Sequence, residues 1–336
     1  MTQPWSIGVA TGIGSLPYVD PDEAARVVTG ELPDLPYLPE LPLRGAGADM
    51  IGRTASLLVD LHVDLQPAGW RLTDRPGADE RGAHALLRAD LDALEIAALG
   101  YSGPLKLQVT GPLTLAASIE RPRGDRALAD HGARRDLAQS LAEGVREHMA
   151  DVAKRVPGAQ VVVQFDEPSL PAVLAGAIPT SSGFGRHRAV DPAEAEQLLA
   201  EVVLAAGEWA VVHCCAPDVP VRLVQRAGAQ AVSLDVGLLT GDVLDELAEA
   251  VNDGLAVWPG IVPARRPDRV PSERELIERL ERLFARLDAD PAHPDAGTVV
   301  TPACGLAGAD LGWAREVHRL VRDVAQGFAE HVGEAR

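Results

Sequence analysis

Residues 191–235, DPAEAEQLLAEVVLAAGEWAVVHCCAPDVPVRLVQRAGAQAVSLD, carry the alternation that decides the fold. Asp191 and Pro192 open the amphipathic run AEAEQLLAEVVLAAG in the way an N-cap and a first-turn proline open a helix. A short apolar run from Ala210 to Cys214 follows, and after another amphipathic segment comes a second, Ala231 to Asp235. Strands separated by helices run parallel, because a parallel pair needs a crossover between its members.

The same unit recurs in both directions. Further strands are expected at Ser6 to Ala10, Leu35 to Pro39, Leu105 to Thr110, Val161 to Phe165, Ala256 to Gly260 and Thr298 to Pro302, which with the two above makes eight. Asp20 and Pro21 mark another helix start, Ser272 with Glu275 three residues on is a capping box, and a closing helix covers residues 310 to 332. Eight such units predict a closed (β/α)8 TIM barrel, α/β in class, as a single domain over residues 1–336. Residues 41–85, after strand two, and 168–190, after strand four, are too long and too rich in Gly and Pro for plain connections; both are expected to be lids or binding loops.

The chain of 336 residues has 46% hydrophobic and 24% charged residues and a net charge of -18, enough apolar material for a large core and a surface that repels phosphate and anionic lipid. Nucleic acid and membranes are therefore not expected partners. Lys occurs only at Lys106 and Lys154, while Arg is spread along acidic helices, a compositional bias and not a binding patch. No stretch reaches the roughly 18 to 20 apolar residues of a membrane span, and the first residues lack a basic region followed by an apolar run. A soluble, cytoplasmic protein is expected. Three cysteines are no disulfide framework, so each is a metal ligand, a nucleophile or a small buried residue.

In such a barrel the chemistry sits at the carboxyl ends of the strands. The expected strands end in Ser15, Glu40, Thr110, Asp166 with Glu167, His213 with Cys214 and Cys215, Asp235, and Cys304. His213 and Cys215 lie two apart on an extended segment and leave one face, while Cys214 leaves the other toward the helices. With Cys304 and Asp235 they form a donor set of the kind zinc accepts. The same residues are equally consistent with buried, unmetallated side chains, and Asp166, Glu167 and Ser15 with helix caps and turns. His84, His131, His148, His318 and His331 fall in helical segments and are expected to face solvent.

The segments IGSLP, VTGPLTL, QFDEPSLPAVL, VVHCCA, AVSLD, WPGIVPA and TPACGL occur in the order seen in the carboxyl-terminal catalytic half of cobalamin-independent methionine synthase, and the chain resembles that family over essentially its whole length. The resemblance implies a (β/α)8 barrel with catalytic zinc that transfers a methyl group to the sulfur of homocysteine. It implies ligands at His213, Cys215 and Cys304, with Asp235 where the family has a glutamate ligand. Asp166 would grip the substrate ammonium, Ser15 its carboxylate, and Glu40 would be another acidic contact, with Glu40 or Glu167 the acid acting on the donor. The family's amino-terminal barrel, which helps bind a polyglutamylated folate, has no counterpart in these residues. Methyltetrahydrofolate and methylcobalamin or a corrinoid protein are thus both candidate donors. Two alternatives stand beside this expectation: a corrinoid-dependent or other-thiol zinc methyltransferase, and a non-catalytic barrel that binds zinc or an amino-acid thiol. The related porphyrinogen decarboxylases need no such His and Cys set. Nothing in the sequence fixes the oligomeric state.

Overall fold

The computed structural model describes residues 4–5, 7–291, 293 and 297–334. Its strands are β1 (Val9–Ala10), β2 (His62–Gln66), β3 (Gly69–Thr73), β4 (Ser102–Thr110), β5 (Gly158–Asp166), β6 (Ala210–Cys214), β7 (Ala231–Asp235), β8 (Ala256–Val262) and β9 (Val299–Pro302). Seven of them form one curled parallel sheet in the order β1-β9-β8-β7-β6-β5-β4. Helices between consecutive strands cover its outer face, as in a TIM barrel. Ser6, the start of the expected first strand, lies outside the described residues.

The expected strand Leu35 to Pro39 forms no ladder. Residues 35–40 instead span the gap between β1 and β4 through isolated parallel bridges, Ser15 with Glu40 and Tyr37 with Lys106. Leu16 N donates to Glu40 O at 2.8 Å and Glu40 N to Gly14 O at 3.0 Å on one side. On the other, Leu38 N donates to Lys106 O at 3.0 Å and Lys106 N to Pro36 O at 2.9 Å. Pro36 and Pro39 have no N–H to give, so a regular ladder is unavailable while the ring still closes.

Helix starts follow the expected chemistry. Asp20 Oδ1 accepts from Asp22 N at 2.9 Å, Asp191 caps the helix Pro192–Ala205, and both halves of the Ser272 and Glu275 capping box are present. The closing helix runs Leu311–Glu334.

The amino-terminal end of the barrel is filled with apolar side chains, among them Val9, Leu35, Val162, Val211, Ala256 and Trp258. Trp5 packs edge-on against Trp209 and Trp258, with ring centroids 5.2 and 5.5 Å apart. A second, larger core lies between the strands and the helices. The long segment after residue 41 builds two short 3-10 turns, a helix Met50–Ala55 and the antiparallel β2–β3 hairpin. The segment 168–190 builds the short helix Leu170–Leu174 and a loop held by Asp125, whose Oδ1 accepts from Ser181 N at 2.9 Å and Ser181 Oγ at 2.8 Å.

Two of the histidines expected in solvent are buried. His148 faces the inside of its helix, where burial pushes its imidazole down to about 3, and His318 is fully covered and pushed down to about 4. Both sit on the apolar stripe of a long helix, and helical periodicity, which governs burial, was the signal to apply. His84, His131 and His331 are exposed as expected.

Candidate metal centre and substrate cavity

A cavity of about 330 Å³ opens at the carboxyl ends of the strands. Its wall includes Ser15, Glu40, Asp166, His213, Cys215 and Cys304, together with Asp49 and Met50 from the segment after residue 41 and Pro168 from the loop after β5. Thus both long insertions contribute to the mouth.

One side of the cavity is sulfur and imidazole. On β6 the pleat sends Val211 and His213 inward, and Cys215 follows them, while Val212 and Cys214 pack in the strand–helix core. Cys304 arrives from the turn after β9. The next residue, Gly305, lies so close to Ser15 Oγ that a Cβ there would overlap the hydroxyl, so glycine is what lets the two loops meet. The donor atoms of His213, Cys215 and Cys304 all lie within 4.8 Å of one another. His213 Nδ1 shares a hydrogen bond of 3.0 Å with Ser233 Oγ, which sets the ring and leaves Nε2 buried without a hydrogen-bond partner. The two sulfurs are 2.8 Å apart. That contact holds the Cys304 thiol well below its ordinary range and, with burial, pushes Cys215 up. Cys214, with no such partner, is pushed up to about 12 by burial.

Asp235, the remaining ligand expected from the sequence, ends β7 but is outside this group of donor atoms and outside the cavity wall. Its Oδ1 accepts from Gly237 N at 2.7 Å and starts a 3-10 turn.

Carboxyls line the same cavity, Asp166 being the neighbour of His213 across the β5/β6 ladder. Asp166 Oδ1 accepts from Gln164 Nε2 at 2.7 Å, and burial followed by the charge of Glu40 raises its carboxyl well above the usual range. Glu40 is also raised by burial, against the pull of Arg53 and Lys106, and its Oε1 is buried without a partner. Arg53 sits behind it, donating to Pro39 O at 2.7 Å and to Asp90 Oδ2 at 3.1 Å. Ser15 is half-buried at the edge of the same cavity.

Glu167 and Thr110, also strand-end residues, turn elsewhere. Glu167 is fully buried and accepts from Leu113 N at 2.8 Å, Thr114 N at 2.9 Å and Thr114 Oγ1 at 2.7 Å, capping the helix Pro112–Ser118. Burial outweighs these donors and raises its carboxyl to about 7. A Cβ on Gly111 would overlap this carboxylate, which explains glycine before Pro112. Thr110 donates to Met50 O at 2.7 Å and so ties the long insertion to the barrel.

Sequence reasoning passed over a layer of polar residues beneath the cavity: Lys106, Gln108, Gln164 and Ser233. The signal was legible, since Lys106, Gln108 and Thr110 alternate with apolar residues in β4, and Gln164 and Asp166 alternate in β5.

Fold and site together define a parallel α/β barrel enzyme with a His, Cys and Cys cluster and a pair of buried carboxyls lining one cavity at its catalytic rim. A family model, the cobalamin-independent synthase catalytic domain, matches residues 8–327, and the chain belongs to that family. It is a catalytic domain of the methionine synthase type, a methyltransferase of methionine biosynthesis. Among solved structures it is similar to a B12-independent methionine synthase from Shewanella sp. W3-18-1 in complex with selenomethionine, at 12% identity and TM-score 0.63, covering 99% of this chain and 100% of the other. At that identity the likeness speaks for the fold. A candidate lyase/mutase from Burkholderia cenocepacia matches at 15% identity and TM-score 0.41, over 97% of this chain and 90% of the other. A search of curated protein sequences finds no match. No helix among the described residues is long and apolar enough to cross a membrane.

Proposed function

We propose that this protein methylates the thiol of homocysteine to form methionine, with zinc held by His213, Cys215 and Cys304. The observation that carries the reading is His213 Nε2, buried, unpartnered and grouped with two sulfurs in a cavity that buried carboxyls also line. An imidazole nitrogen with its other nitrogen hydrogen-bonded, beside two thiols, fits zinc in donor type. When bound, zinc lowers the pKa of a coordinating thiol enough to present it as the nucleophilic thiolate.

The chain's own residues do the rest. An amino-acid thiol whose sulfur lies at His213, Cys215 and Cys304 brings an ammonium and a carboxylate into the remaining cavity. Asp166 and Glu40 accept the ammonium, and Ser15 with the adjoining backbone donates to the carboxylate. Glu167 is committed to its helix cap and does not line the cavity, so in this reading it is not the acid for the donor. Asp235, bonded to Gly237, is a neighbour of the site in this reading, and the fourth zinc position is left to substrate. We take residues 1–336 as one barrel working in the cytoplasm, where thiols stay reduced.

The test is methionine formation by purified, zinc-loaded protein from homocysteine, run in parallel with methyltetrahydrofolates and with methylcobalamin. Turnover with either identifies the donor. Zinc-replete protein that forms no methionine from either donor overturns the reading.

A further inference from the structure

Behind the cavity wall, bonded to the carbonyl of the lining residue Ile13, lies a cation that the reaction as described leaves unused. Lys106 on β4 has no exposed surface, and a buried, charged lysine is costly unless something nearby needs its charge. Its Nζ donates to Ile13 O at 2.9 Å and to Gln108 Oε1 at 3.2 Å, and lies 5.1 Å from the centre of the Tyr37 ring. Ile13 O receives a second donor, Gln164 Nε2 at 2.8 Å, the same group that bonds Asp166 Oδ1. Gln108 Nε2 in turn donates to Leu38 O at 2.6 Å, two residues before Glu40. One network therefore joins the backbone under Ser15, the backbone under Glu40 and the side chain of Asp166, with Lys106 as its cation.

We propose that Lys106 is a positioning residue for the amino-acid end of the substrate: its ammonium ties the Ile13 carbonyl beneath Ser15 to the barrel wall and is the internal countercharge that allows Glu40 and Asp166 to present anionic oxygen to an incoming ammonium. Two carboxylates crowded in a buried site oppose each other's ionisation, and a fixed cation below them relieves that opposition. Burial lowers the Lys106 ammonium to about 7 and raises both carboxyls, and against that Lys106 and each carboxyl pull one another back toward the charged form. This inference rests on the homocysteine reading above.

The test is calorimetric titration of zinc-loaded protein with methionine and with its des-amino analogue, in wild type and in Lys106→Met, which keeps the length of the side chain and removes its charge. Neither ligand needs a methyl donor. Wild type is expected to prefer methionine, and Lys106→Met to lose roughly tenfold or more of its methionine affinity while the analogue, which keeps only the carboxylate contact above Ile13, loses clearly less, so that the preference collapses. Should Lys106→Met fold poorly, Lys106→Gln, which retains a donor for Ile13 but no charge, is expected to show the same collapse. Equal weakening of both ligands would make Lys106 a structural residue only and overturn the proposal, as would unchanged binding of both. A wild type without preference for methionine would instead strike at the substrate reading itself, and the inference would fall with it.

Discussion

The cavity and the strand–helix layer behind it take alternate residues from the same strands, and two pairs of neighbours show how differently the two regions treat one type of side chain. Cys215 reaches the cavity, its sulfur 2.8 Å from that of Cys304, whereas Cys214, one peptide away, is packed among aliphatic side chains with its thiol pushed up to about 12. Asp166 lines the cavity with Glu40, whereas Glu167 turns outward and caps a helix. The chemistry of each residue is thus set by the pleat and by what lies on either side of the sheet, not by residue type.

The comparison can be broken most severely at the cysteines. Cys215→Ala is expected to lose most of its bound zinc and Cys214→Ala to retain it, read by elemental analysis of metal-replete protein. Equal loss in both would mean that the pleat does not separate them.

The carboxylates sharpen it. Asp166→Asn should keep fold and zinc but lower kcat/KM for homocysteine by roughly 1.5 to 3 kcal/mol, while a simple thiol without the amino group loses far less. If Asp166→Asn expels the metal, Asp166 belongs to the sulfur side of the cavity. Glu167→Gln should do the reverse. It turns an amide N–H toward the Leu113 and Thr114 donors, so a loss of about 1 to 3 kcal/mol in urea-unfolding stability is expected, with zinc retained.

The smallest effect is in the pH dependence. Glu167 is held up to about 7 against an ordinary 4.5, so the folded protein keeps a proton that the unfolded chain releases. Its contribution to stability is full below about 4.5 and is lost as pH rises through about 7. Thermal midpoints measured from about pH 5 to about pH 7.5 should therefore fall more steeply in wild type than in Glu167→Gln. Parallel curves would show that Glu167 is ionised throughout.

Buried glutamate capping from another strand, as at Glu167, is not visible in sequence, because its partners Leu113 and Thr114 are more than fifty residues away. Asp235 is the opposite case: its partner Gly237 lies only two residues on, a local contact that claims the carboxylate of a residue whose place at a strand end is legible.

Local pattern alone determined the alternation of strands and helices, the caps at Asp20, Asp191 and Ser272, the rim as the place for chemistry, and the split between Cys214 and Cys215, since each depends on periodicity and on neighbours within a few residues. Only the tertiary structure decided that residues 35–40 close the ring without a ladder, that Lys106 lies beneath the two carboxyls, and that His148 and His318 are covered. Those outcomes depend on which surfaces meet across the barrel, and a side chain's burial and partners are set by contacts between segments far apart in the chain.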